Sequence, residues 1–260
     1  MFLHPAHVES SIPVLRQLIR EFPLGVLTTA IPSDTHPLIQ VSHIPFLLDI
    51  NDESSETELG ILRGHLARPN PQSKAIIDAV ARGAPANNNI LEQEVLVLFT
   101  SPHHHYVPPE FYVKTKSTTA RVAPTWNYAT AQVYGKARIY YDTKAPDTKN
   151  FIARQLDDLS KYSEESIMGH TGKDGRPKPW KISDAPERWI ELLKTNIIGI
   201  EISITRLEGK FKMSQEMSKG DQAGVVQGFQ ELGSETGLAI ARMVREHGEQ
   251  KDAAKIWLDW

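Results

Sequence analysis

The sequence predicts an α+β protein, mainly β: a six-stranded antiparallel barrel with peripheral helices and a helical C-terminal extension. Three observations carry that expectation. Short runs rich in β-branched and apolar residues, bounded by turn clusters, recur through the first half. Ala129 to Tyr141 alternates with a period of two, so that Ala131, Val133, Ala137, Ile139 and Tyr141 share one side. After Met217 the spacing turns helical, through Val225, Val226 and Phe229 and then Leu238, Ile240, Met243 and Val244.

Taken in order, Val8 to Phe22 places apolar residues at Val8, Ile12, Leu15, Leu18, Ile19 and Phe22, the three-to-four spacing of an amphipathic helix. Pro13 is tolerated there only in a first turn, and Pro23 stops the helix. Leu24 to Ile31 is the first strand. The turn cluster at residues 31–37 leads to a second strand, Leu38 to Ile50, which Pro45 interrupts because proline cannot donate to a ladder. The acidic run Asn51 to Glu58 reads as a solvated hairpin tip, and Leu59 to Leu66 as the returning third strand. Pro71 to Ala81 is a helix ending at Gly83, and Ala84 to Glu92 a surface loop. Val95 to Thr100, Ala129 to Tyr141 and Asn196 to Leu207 complete the strands. Phe151 to Leu159 and Pro186 to Leu193 are helical, and between them lies the polar stretch Lys173 to Lys181. The division into domains follows: residues 1–215 for the barrel and 216–260 for the helical extension, packing on the barrel or on a dimer partner.

Composition narrows the chemistry. With 260 residues, 40% of them hydrophobic and 23% charged, the chain can bury a real core. A net charge of −3 gives no general attraction to nucleic acid or to an anionic membrane. Cysteine is absent, which excludes disulfides, thiolate metal sites and cysteine nucleophiles. Nothing in the N-terminal residues reads as a targeting segment and no run is apolar enough to span a bilayer, so the sequence reads as cytosolic. There is no P-loop, no Gly-x-Gly-x-x-Gly, no Gly-x-Ser-x-Gly and no His-Glu-x-x-His.

Four ordered blocks carry a family resemblance: Val41 to Leu48, Gly64 to Gln72, Val122 to Ala129 running into Val133 to Gly135, and Leu207 to Gln215 followed by Asp221 to Val226. In this order they resemble the PaiB-like branch of the FMN-binding split-barrel proteins, whose bacterial members are named transcriptional regulators. The resemblance implies a split-barrel homodimer with a flavin-type site. It implies FMN as cofactor, with haem or an empty groove as the alternatives, and oxidoreductase-type chemistry on a small molecule.

FMN carries a dianionic phosphate, a hydroxylated chain and a flat ring with polar edges, and each block offers groups for one of these. His65, Arg68, Asn70 and Lys74 suit the phosphate, Arg68 through its forked donor and the following helix through its N-terminal end. The plain reading of the same residues is a solvated turn with Asn70 as helix cap. Ser42 and His43 would lie along the ring; His43 reads equally as a hydrogen-bonded core histidine. Trp126, Asn127 and Tyr128 lie together, the indole offering a wall and the amide a polar partner, or the tryptophan ordinary interface packing. Lys210, Lys212 and Gln215 stand together, and a bulge at Gly209 would point the lysines inward, whereas without it the two lysines face water.

The loop Pro102 to Tyr106 holds three adjacent histidines, of which His103 and His105 share a side of an extended chain. With Tyr106 and Trp126 these are the substrate-pocket candidates, and His103 and His105 are the residues a haem would use. No metal site and no catalytic residue is assigned. The regulator reading meets no helix-turn-helix pattern and a negative charge, which argue against direct DNA binding.

Overall fold

In the computed structural model, residues 1–83 and 88–258 are described, with side chains described as far as residue 249. The strands are β1 (Val8–Glu9), β2 (Leu24–Ala30), β3 (Ile39–Pro45), β4 (Leu47–Asp49), β5 (Ile61–Ala67), β6 (Val95–Thr100), β7 (His105–Val107), β8 (Thr125–Tyr140) and β9 (Ile197–Lys212). The α-helices are α1 (Ile12–Glu21), α2 (Pro71–Arg82), α3 (Val113–Thr118), α4 (Pro146–Tyr162), α5 (Glu187–Thr195), α6 (Lys219–Glu231) and α7 (Glu235–Leu258). Neighbouring strands follow the order β3-β2-β6-β8-β9-β5-β4, with β1 on β9 and β7 on β8.

The predicted count of six strands is corrected to nine among the described residues. Proline at position 45 does break the second strand, giving β3 and β4. The other two additions, β1 and β7, are two and three residues long, too short to show any period. Val8 and Glu9 leave the predicted helix to pair with Lys210 and Gly209. The helix starts later because the Glu9 carboxylate accepts from Ser11 N at 2.8 Å, and Pro13 then falls in the first turn of α1. Both long strands outrun their predicted ends: β8 begins at Thr125 and β9 continues to Lys212. No bulge is needed at Gly209, which lies in β9 opposite Glu9. Glycine is required there by space, since a Cβ would sit 2.3 Å from Leu15 Cδ2 and 2.8 Å from Glu9 O. Of the predicted loop 84–92, residues 84–87 lie outside the described residues, while Ile90 bridges Arg138.

The chain divides into two compact units. One comprises Ile19–Leu98 and Val133–Leu207. Its β-strand path begins at β3 and ends at β4, and these two strands are separated in the chain by Phe46 alone, so the sheet of this unit turns back on itself. Phe46 is buried, its N–H donates to Pro23 O at 2.9 Å, and the missing side chain at Gly64 leaves room for its ring and for Ile44. The core is apolar and β-branched: Leu62, Ile198, Ile200, Ile202, Val133 and Ile139 are all fully buried. Each contributes about 1.5–3 kcal/mol by leaving water.

A buried cation ties α4 to this sheet. Arg63 on β5 donates to Asp49 on β4 at 2.5 and 2.9 Å, to Asp158 on α4 at 2.8 Å and to Gln155 at 3.2 Å. Arg154 bridges the same two carboxylates at 3.4 and 3.3 Å, closing a ring of alternating charge. Stacking of Phe151 on Tyr140, with centroids 4.0 Å apart, extends the α4 contact.

The other unit comprises Met1–Leu18, Phe99–Gln132 and Glu208–Trp260. It places α6 against the short elements that follow β7 and α7 against α6 and β7, with Phe229 buried between the rings of His105 and Phe111. Asp221 clamps α3 to α6: its carboxylate accepts from Lys114 N at 3.0 Å, from Thr115 N at 2.9 Å, from the Thr115 hydroxyl at 2.5 Å and from Ser218 Oγ at 2.7 Å. Burial opposes the charge, yet the hydrogen bonds from Thr115, Ser218 and Lys114 outweigh it and hold the carboxyl below its usual range.

That depressed value carries a pH dependence. The stabilisation is complete above the ordinary carboxylate range and is lost as pH falls through the lower folded value. Asp221→Ala is expected to cost roughly 2–4 kcal/mol at neutral pH, because two backbone donors lose their partner. Denaturant unfolding followed down to about pH 3 should show the wild type converging on the variant.

Candidate functional site

The sequence-selected residues fall into two groups, one in each unit. In the first, Ser42 and His43 lie on β3, His65 on β5, Arg68 and Asn70 in the turn after it, and Lys74 in α2. Asn70 caps α2 by accepting from Gln72 N at 2.9 Å, and its Nδ2 donates to Ser42 Oγ at 3.0 Å. Arg68 donates to three backbone carbonyls: Tyr141 at 2.7 Å, Thr195 at 3.1 Å and Ile197 at 3.3 Å. Its fork therefore stitches the turn to the end of α5 and the start of β9. Gln72, buried, donates to Leu27 O, Thr29 Oγ1 and Gln40 O. The capping reading of Asn70 is realised, and most donors of this block are engaged by the fold itself. His43 and Lys74 are exposed, while His65 keeps a buried Nδ1 with no hydrogen-bond partner. Burial pushes the His65 imidazole below its ordinary value.

The second group hangs from β7, β8 and the end of β9. Strand alternation sends Trp126 outward, 52% exposed, and its neighbour Asn127 into the interior. The two therefore face opposite sides of β8. Asn127 accepts from Ser214 Oγ at 3.2 Å and its Nδ2 has no partner. Around Trp126 stand His104 at 5.9 Å and Tyr106 at 6.4 Å between ring centroids, Tyr106 being the β7 residue paired with it. Lys210 lies 5.7 Å from the centroid of Tyr128, two residues along β8. Lys212, two residues along β9, donates to Trp126 O at 3.1 Å and to Thr125 Oγ1. Burial pushes the Lys212 ammonium below its ordinary value, with Glu216 acting against that shift.

This face thus combines a wall of Trp126, Tyr106 and Tyr128 with two cations, Lys210 and Lys212. Gln215 does not join it: its side chain accepts from Met213 N and donates to Phe211 O, shaping the turn in which Ser214 takes a φ of 57°. Nor does His105, whose Nδ1 lies 2.7 Å from Tyr106 O and whose ring meets Phe229 edge-on. His103 N donates to Ser101 Oγ at 3.2 Å. Among the described residues no three His, Asp or Glu side chains are grouped as metal ligands would be.

Comparison with known proteins places the chain in a family. Residues 1–206 match the family described as "Putative FMN-binding domain". The chain belongs to this FMN-binding domain family. An uncharacterized protein of Aspergillus fumigatus is 54% identical over 260 residues, covering 97% of this chain and 99% of its own. The protease synthase and sporulation protein PAI 2 of Bacillus subtilis is 22% identical over 185 residues, covering 71% and 72%. The solved structure of an FAD- and haem-binding protein from Mycobacterium smegmatis overlaps 79% of this chain and 73% of that one, with a TM-score of 0.43 at 15% identity.

Of the residues on this face, Lys212 and Tyr128 were weighed beside Lys210 and Trp126 without being selected, and His104 was left out. Lys212 and Tyr128 were readable by period: each stands two positions from a residue that was selected, Lys210 and Trp126. His104 was set aside because it alternates with His103 and His105, and that same alternation turns it toward Trp126.

Arg68 gives the test of a donor engaged by the fold. Arg68→Ala removes a charged donor from three carbonyls that are at most partly buried and is expected to cost about 1–3 kcal/mol in denaturant unfolding, with little change in the far-UV spectrum.

Proposed function

We propose that the protein binds FMN on the face formed by Trp126, Tyr106, Tyr128, Lys210 and Lys212. A flat ring needs a flat apolar wall, and a phosphate needs cations that other groups do not neutralise. Both are supplied here by side chains at alternate positions of neighbouring strands, and this pairing of wall and cations is the observation that carries the reading. Lys212 engages only neutral oxygens among its hydrogen-bond partners, and its lowered basicity means that an arriving anion stabilises its charged form. Lys210 lies along aromatic faces, 5.7 Å from Tyr128 and 5.8 Å from Phe2, which orients it without neutralising it. FMN when bound supplies hydride or electron transfer, and membership of the family supports that chemistry over haem. The chain's part is to hold the ring on Trp126, to fix the phosphate through the lysines and to present His104 and Tyr106 to a small substrate.

The reading includes a homodimer. On the unit of Ile19–Leu98 and Val133–Leu207, one face of the β2–β3 ladder stays open, with Leu24 58%, Ile39 63% and Val41 53% exposed. Thr28 is opposite Val41 and Ala30 opposite Ile39, so the apolar residues are contiguous rather than scattered. Such a patch is covered in a stable soluble protein, and a second copy burying the same patch satisfies that need by symmetry.

Two measurements test these statements. Freshly purified protein should carry or take up FMN, seen as a flavin absorption spectrum and identified by mass after release. In fluorescence titrations Lys212→Met should weaken FMN at least about tenfold and leave riboflavin, which lacks the phosphate, nearly unchanged. Equal loss for both ligands, or no flavin binding by the wild type, overturns the site. In sedimentation equilibrium the protein should run at twice 29.2 kDa, and Val41→Asp should shift it to the monomer.

A further inference from the structure

A cleft of about 500 Å³ opens between α4 and residues 179–183, lined by Asp157, Ser160, Lys161, Glu165, Trp180 and Lys181 among others. Its size falls among small-molecule sites. All of it belongs to one unit, and none of its residues takes part in the proposed flavin face.

The cleft is built rather than incidental. Asp157, Lys161 and Glu165 stand at successive intervals of four, so α4 and its continuation present a stripe of charge that alternates minus, plus, minus. The continuation, Ser163–Ile167, is a π-helical turn, a form frequent at functional sites. Glu164 in that turn holds the opposite wall. Its Oε2 lies 2.6 Å from His170 Nδ1 and accepts from Trp180 N at 3.2 Å. Ser160 Oγ donates to Trp180 O at 3.4 Å, and Lys181 N donates to Asp184 Oδ2 at 2.9 Å. The backbone of Trp180 is therefore fixed on both sides while its indole stays 42% exposed. Asp157, Lys161, Glu165 and Lys181 form no ion pair among the described residues, although Asp157 and Lys161 have the spacing at which such pairs form.

We propose that this cleft binds a free α-amino acid with an aromatic side chain. The three parts of such a ligand match three parts of the wall. Its carboxylate meets Lys161 and Lys181, its ammonium meets Asp157 or Glu165, and its ring lies against the Trp180 indole. A dianion would meet two carboxylates here, and an uncharged aromatic would leave all four charges unanswered, so the alternating stripe selects a zwitterion. The inference is independent of flavin binding.

Isothermal titration with L-phenylalanine on the full-length protein tests it, with phenylacetate and phenethylamine as probes lacking the ammonium or the carboxylate. L-phenylalanine should saturate at millimolar concentration or below, and each truncated probe should bind at least about tenfold more weakly. Lys161→Ala and Trp180→Ala, both at exposed positions, should each weaken L-phenylalanine by a similar factor, and the wild type should show a change in tryptophan fluorescence that Trp180→Ala loses. Absence of saturation by about 10 mM overturns the proposal. So does equal binding of phenylacetate or phenethylamine, and so does unchanged affinity in both variants.

Discussion

Two strands of sixteen residues, β8 and β9, impose a period of two on everything attached to them. In a strand each residue must face the side opposite its neighbour, and no local adjustment short of a bulge can change that. The consequence at the start of β8 is a division of labour between adjacent residues. Trp126 and Tyr128 face outward and make a wall; Asn127 between them is buried and bonds to Ser214. At the end of β9 the same rule brings Lys210 and Lys212 to one side, where they meet Tyr128 and the Trp126 carbonyl. The candidate face is a product of register, and a slip of one residue would bury the wall and expose the core.

A second constraint is the charge of Arg63. A guanidinium buried on β5 demands compensation, because removing it from water costs several kcal/mol. Asp49 and Asp158 supply it, and Arg154 balances their second charge at the surface. The effect is positional more than energetic. A buried ion pair adds little net stability, but it has few alternative arrangements, so α4 is seated in one position and rotation. The stripe Asp157–Lys161–Glu165 and the cleft it lines follow from that seating.

Several polar residues of the four sequence blocks are spent on the backbone. Arg68 satisfies three carbonyls, Asn70 caps α2, Gln215 closes a turn and Asp221 fastens the start of α3. The physical reason is common to all four. Polar backbone groups in turns and at helix ends have no partner in regular structure, and a polar side chain close in space satisfies them at low entropic cost. The groups left open to a ligand stand among aromatic rings: Trp126 itself, Lys210 over the Tyr128 ring, and Lys212, whose hydrogen bonds go to one carbonyl and one hydroxyl and leave its charge unbalanced by an ion pair among the described residues.

By itself the sequence determined the elements that repeat: the helix stopped by Pro23, the strand broken at Pro45, the cap at Asn70 and the alternation from Ala129 onward. Each depends on neighbours within a few residues, which composition and spacing record directly. It also determined the family, because four motifs in order survive where single ones are weak. Tertiary structure decided the rest. The two-residue and three-residue strands β1 and β7 exist only because β9 and β8 offer them an edge, and the same pairing lengthens β8 back to Thr125. Whether a cation meets a carbonyl, a carboxylate or an aromatic ring depends on residues dozens of positions away, as for Arg68 and Thr195 or Lys212 and Trp126. A sequence read locally lists the donors; only the folded chain says which of them its own backbone has already engaged.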